Sequence, residues 1–125
     1  MDRFNEKHNR IKDKYEKIIY NCELYAVEER YREAVAYAIK LLVLDVERNN
    51  SIKIGNRYIP AHIVRDDIGK LNFFIVEYAI NKYKEISSIQ KIRNPLGYLK
   101  SLLYNSINET QIDIDSKLRY DNLRS

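Results

Sequence analysis

The sequence predicts a mainly α protein: a compact bundle of five or six helices with one small β-hairpin at about residues 51–59. Three observations carry this. Glycine and proline are scarce, three and two copies in 125 residues, while leucine, isoleucine, lysine and glutamate are plentiful, a balance that favours helices over tight turns. Apolar residues recur at helical spacing through several long windows. Ser51-Ile52-Lys53-Ile54 and Arg57-Tyr58-Ile59 instead alternate with period two around Gly55-Asn56, which is a hairpin signal.

The elements follow in order. Residues 3–20 form a first helix with Phe4, Ile11, Tyr15, Ile18 and Ile19 on one stripe, and Asn21-Cys22-Glu23 bends the chain. Residues 1–22 therefore read as a charged leading helix or linker, 23–110 as the helical domain with its hairpin, and 111–125 as a polar amphipathic tail. The second helix, 26–48, has Tyr31, Ala34, Val35, Ala38, Leu42 and Val46 on one face. Tyr37, Leu41 and Leu44 widen it, which marks a central helix. The hairpin arms are too short to stand alone and must lean on helices. Pro60 opens a short helix to about Gly69, with Ile63, Val64 and Ile68 inward and Asp66 and Asp67 pointing away.

Asn72 is placed to cap a helix from Phe73 to about Ile86, with Leu71 and Val76 as a staple. Its apolar face is Ile75, Tyr78, Ala79 and Tyr83. Asn94 then caps a last helix with Pro95 at its first position. Leu96, Leu99, Leu103 and Ile107 line its inner face, and it runs to about Asn108. That register turns Lys100 and Tyr104 toward solvent. Beyond it, Ile112, Ile114, Leu118 and Leu123 space a loose tail.

The formal charge is +4, with a pI near 9.1, and it is local. Residues 82–100 hold five basic groups (Lys82, Lys84, Lys91, Arg93, Lys100) against Glu85 alone. Such a patch permits contact with nucleic acid. Cys22 is the only cysteine, so no internal disulfide forms and a reducing, cytoplasmic setting is the simpler reading. No apolar run reaches the roughly 18 residues of a membrane span, and no signal-peptide pattern opens the chain.

Chemistry is sparse. His8 and His62 lack metal-ligand spacing, and no metal or cofactor is expected. There is no serine elbow, phosphate-cradling glycine loop or Cys–His pattern. Asp66 and Asp67 diverge on a helix. An enzyme ranks last among the readings, because no convergent acid, base or nucleophile can be assembled. Eleven tyrosines remain, suited to half-buried edges and interfaces. Tyr104 beside Lys100 is the one singled out for stacking a base or docking a partner.

The order of elements from Val27 to Asn108 resembles the C-terminal domain of RepA-N-type replication initiators of Gram-positive plasmids and related mobile elements. The long helix ending in Leu41-Leu42-Val43, the hairpin Ile52-Lys53-Ile54-Gly55 to Tyr58-Ile59-Pro60, the stretch Val64 to Leu71-Asn72, and above all Ile92-Arg93-Asn94-Pro95-Leu96-Gly97-Tyr98-Leu99 to Leu102-Leu103-Tyr104-Asn105 carry the resemblance. The last block is similar, more distantly, to DnaD-like primosome proteins, in which a tyrosine, an aliphatic residue and a tryptophan lie four apart on a helix implicated in DNA binding. Tyr98 and Leu102 match the first two, and Ser106 stands at the tryptophan position.

The resemblance implies a bacterial replication-initiation accessory domain that engages host replication proteins, such as primase or the helicase-loading machinery, and touches DNA weakly. A winged-helix domain precedes it in that family, so this chain is expected to be a fragment of a longer initiator or a stand-alone relative. Lys84, Lys91, Arg93, Tyr98, Lys100 and Tyr104 are the expected DNA or partner contacts. The competing reading is an interaction or self-association module, a homo-oligomer among its forms, with no nucleic-acid role.

Overall fold

The computed structural model describes residues 2–124, without side chains for 2–4, 113, 114 and 120–124. Five α-helices and one hairpin follow in the order α1 (Asp2–Cys22), α2 (Glu29–Arg48), β1 (Ser51–Ile54), β2 (Arg57–Pro60), α3 (Ala61–Ile68), α4 (Phe73–Ser87) and α5 (Pro95–Arg124). A 3-10 turn at Leu24–Ala26 joins α1 to α2. Glu23 ends α1 in the left-handed region, at φ 47°, which makes the bend expected at residues 21–23.

Helix α2 is central: α1, α3 and α5 all pack on it. Its buried residues are Tyr31, Val35, Ala38, Ile39, Leu42, Val43 and Val46. The widening residues differ from the expectation. Ile39 and Val43 are sealed, Leu41 and Leu44 are half-buried, and Tyr37 is 51% exposed. One side of α2 stays uncovered, and Tyr37 keeps its polar tip wet there. Ile18 and Cys22 bring the end of α1 into the same core, and burial pushes the Cys22 thiol up to about 12. The Phe4, Ile114 and Leu123 expectations lie outside the described side chains.

In the hairpin, Ile54 pairs with Arg57 across the two-residue turn. Gly55 takes φ +62° there, a conformation that favours glycine. Ile52 and Ile54 face the core, while Ser51 and Lys53 face solvent. Pro60 is the last residue of β2 and caps α3 rather than opening it. In α3, Ala61, Val64 and Ile68 are buried but Ile63 is 42% exposed.

Asn72 caps α4 as expected, its Oδ1 accepting from the Ile75 N–H at 3.0 Å. Leu71 and Val76 are both fully buried. Asn94 caps α5, accepting from the Gly97 N–H at 3.1 Å. A Cβ on residue 97 would sit 2.5 Å from the Asn94 amide nitrogen, so glycine gives the cap its room. Leu99, Leu103 and Ile107 face inward, with Leu96 packed at the margin.

Two features of α5 depart from the expectation. The helix does not stop at Asn108 but continues to Arg124. No glycine or proline interrupts residues 98–124, and the Thr110 hydroxyl, bonded to the carbonyls of Ser106 and Ile107, stays within the helix. The second departure is Tyr104, which is 3% exposed. Its hydroxyl donates to Asp67 Oδ2 at 2.5 Å. Helix α3 covers this flank of α5, so the inward stripe is wider than three leucines.

Candidate nucleic-acid interface

The site is built where three segments meet: the outer face of the hairpin, the connector between α4 and α5, and the first turns of α5. Alternation along β1 sends Lys53 outward because Ile52 and Ile54 go inward. The hairpin is tied to α5 by Arg57, whose guanidinium donates to Asn105 Oδ1 at 2.9 Å. The connector carries Lys91 and Arg93, both exposed, on either side of the half-buried Ile92. Asn94 fixes where the connector ends and α5 begins, and Tyr98 follows one turn later.

An open cleft of about 540 Å³ lies between these segments. Its lining includes Lys53, Gly55, Lys91, Arg93, Tyr98 and Lys100, with no aspartate or glutamate. Lys53, Lys91 and Arg93 form no ion pair with any described residue. The positive end of the α5 dipole points the same way. The Tyr98 ring lies 6.3 Å from that of Tyr83, which lies 6.1 Å from Tyr31. Three unpaired cations beside a braced aromatic ring can hold phosphates and offer a surface to a base.

Of the six expected contacts, Lys91, Arg93 and Tyr98 come together here. Lys100 lines the cleft, but its ammonium is 2.6 Å from Asp45 Oδ2 and its side chain only 19% exposed. It locks α5 to α2. Lys84 lies elsewhere, 2.5 Å from Glu28 Oε2 and over the Tyr31 ring, and the hydrogen bond to Glu28 raises its pKa. Tyr104 is interior, so the outward orientation expected for it is corrected: burial first, then the Asp67 hydrogen bond, pushes its hydroxyl well above the usual tyrosine range. Asp67 was expected to point away with Asp66. Its side chain is 13% exposed and it accepts the Tyr104 bond.

Lys53 is the cleft-lining cation that the charge count misses, because it lies 29 residues before the nearest member of the basic run. Its signal was the alternation itself, which puts one lysine on the open face of a hairpin. Ser106 is 1% exposed, and its hydroxyl finds no partner among the described residues. The side chain at the position of the DnaD-like tryptophan therefore faces the core and is not part of the surface around Tyr98.

Among the described residues no group of three His, Cys, Asp or Glu could hold a metal ion. No helix of the described residues is long and apolar enough to cross a membrane. Compared with protein-family models, curated proteins and solved structures, the chain matches none.

Proposed function

We propose that this is a non-catalytic domain that grips the phosphate backbone of nucleic acid in the cleft between the hairpin and the start of α5. The observation that carries the reading is the convergence of Lys53, Lys91 and Arg93, none paired with an acid, around Tyr98. Phosphate contacts of this kind position a strand without reading its sequence, so binding is weak and indifferent to base order. The resemblance to RepA-N-type initiators supports a place in replication initiation on a plasmid or mobile element, in the cytoplasm, beside host proteins such as primase. A protein partner is the second reading. Ile89, 77% exposed just before cleft-lining Gln90, favours it.

Fluorescence anisotropy with a labelled DNA oligonucleotide tests the reading. With about three phosphates neutralised, log K falls with log salt at a slope of roughly −2 to −3, so a fourfold rise in salt weakens binding about 16- to 64-fold. Replacing Lys53, Lys91 and Arg93 together by alanine removes most of that slope. Binding that ignores salt, or a triple variant that binds as well as the parent, contradicts it. A parent that binds no DNA but captures purified primase supports the second reading instead.

A further inference from the structure

The hairpin carries a second aromatic side chain beside the cleft. Tyr58 is the cross-strand partner of Lys53. Directly opposed residues of an antiparallel pair project from the same face, with Cβ atoms about 5 Å apart. Ile52 and Ile54 are sealed in the core, so Lys53 and Tyr58 stand together on the solvent side. Tyr58 is 70% exposed. Among the described residues no other ring lies against it and no cation sits over it. The Arg57 bond to Asn105 ties the strand of Tyr58 to α5. Asn105 lies seven residues after Tyr98, two turns along the same side of the helix and about 10 Å away. The hairpin is therefore anchored to the flank of α5 that carries Tyr98, and Lys53, Tyr98 and Ser101 line one cleft.

We infer that Tyr58 is a base-stacking contact and that the cleft takes single-stranded rather than duplex nucleic acid. The inference rests on the phosphate-binding reading of the cleft and adds the bases to it. Two rings flank the cations: Tyr98 on the α5 wall, braced by Tyr83, and Tyr58 beside Lys53 on the hairpin. A positively charged groove that tracks the backbone, with aromatic rings on which bases stack, is the arrangement that holds a single strand, and it tolerates any sequence because every base has a flat face. In a duplex those faces are covered by neighbouring pairs, and exposing one costs unstacking and unpairing. A single strand offers them without that cost. The rings therefore add to the binding of a single strand and leave duplex binding to the cations alone.

Fluorescence anisotropy with three labelled probes of about 12 nucleotides tests this: a thymidine strand, a strand of the same length whose sugars carry no bases, and a duplex. The thymidine strand is expected to bind at least fivefold more tightly than the baseless one, the low end of what one stacked base contributes. Tyr58→Val, which suits a strand but has no ring, weakens binding of the thymidine strand by about the same factor and leaves the other two probes within about twofold. Tyr58→Phe binds all three like the parent, because the ring and not the hydroxyl makes the contact. Equal, salt-dependent binding of the thymidine and baseless strands overturns the inference and leaves the phosphate-binding cleft standing. So does a Tyr58→Val variant that binds the thymidine strand as the parent does, a loss shared by all three probes, or a Tyr58→Phe loss as large as that of Tyr58→Val. Failure of every probe to bind in low salt overturns both.

Discussion

Leu103→Ala is expected to lower the unfolding free energy by about 3 kcal/mol. Leu103 is fully buried where α5 meets the core. Removing its branched side chain forfeits the transfer energy of the lost carbons and leaves a cavity in a helix held on both sides by α2 and α4, which limits collapse. For a chain of this size the midpoint falls by about 10 °C. Leu118→Ala on the same helix, where the leucine is 57% exposed, should change stability by less than about 0.5 kcal/mol. Urea unfolding of the two variants side by side reads the difference, and equal losses would contradict the placement of the core face of α5.

Tyr104→Phe is the second large effect. It removes the hydroxyl that donates to Asp67 at 2.5 Å and leaves the half-buried carboxylate with Lys70, 3.5 Å away, as its remaining ion-pair partner. A hydrogen bond to a charged group is worth about 1.5–3 kcal/mol, and the loss should fall in that range at pH 7. The pH dependence follows from the raised hydroxyl pKa. Below the ordinary tyrosine value of 10.0 both folded and unfolded chains hold the proton, and the contribution is complete. Above it the unfolded chain releases the proton first, so it binds fewer protons than the native state and stability falls with pH. Parent and Tyr104→Phe should therefore converge as pH rises above 10 in parallel urea titrations. A gap that stays constant or widens would show that this hydroxyl is not held protonated by its surroundings.

The two halves of α5 explain what was legible in the sequence. Helix starts could be read because caps are local: Asn72 and Asn94 each bond a backbone N–H three residues on. The hairpin could be read because its turn and alternation span only ten residues. Which flank of a helix is covered is not local. The spacing of Leu99 and Leu103 points Tyr104 outward, but α3 packs on that side and brings Asp67 with it. On α2, likewise, the neighbours bury Ile39 and Val43 and leave Tyr37 51% exposed.

The residues of the candidate site divide in the same way. Lys91, Arg93 and Tyr98 lie within eight residues and share one connector and helix start, so a linear charge count found them. Lys53 joins them only through the fold, by a hairpin whose Arg57 bonds Asn105. Lys100 belongs to the basic run by sequence, but the nearby Asp45 on α2 claims its ammonium. Local sequence carries the number of cations in a segment. It does not carry how many of them the folded chain neutralises.

The cleft is tested most directly by titrating the isotopically labelled chain with a short DNA oligonucleotide and following its backbone amide signals. Binding as proposed moves the signals of residues 53–55, 91–94 and 97–98 together, along one saturation curve that weakens with added salt. Shifts confined to α1 and α2, or an unchanged spectrum at saturating DNA in low salt, would contradict a phosphate-binding cleft at the start of α5.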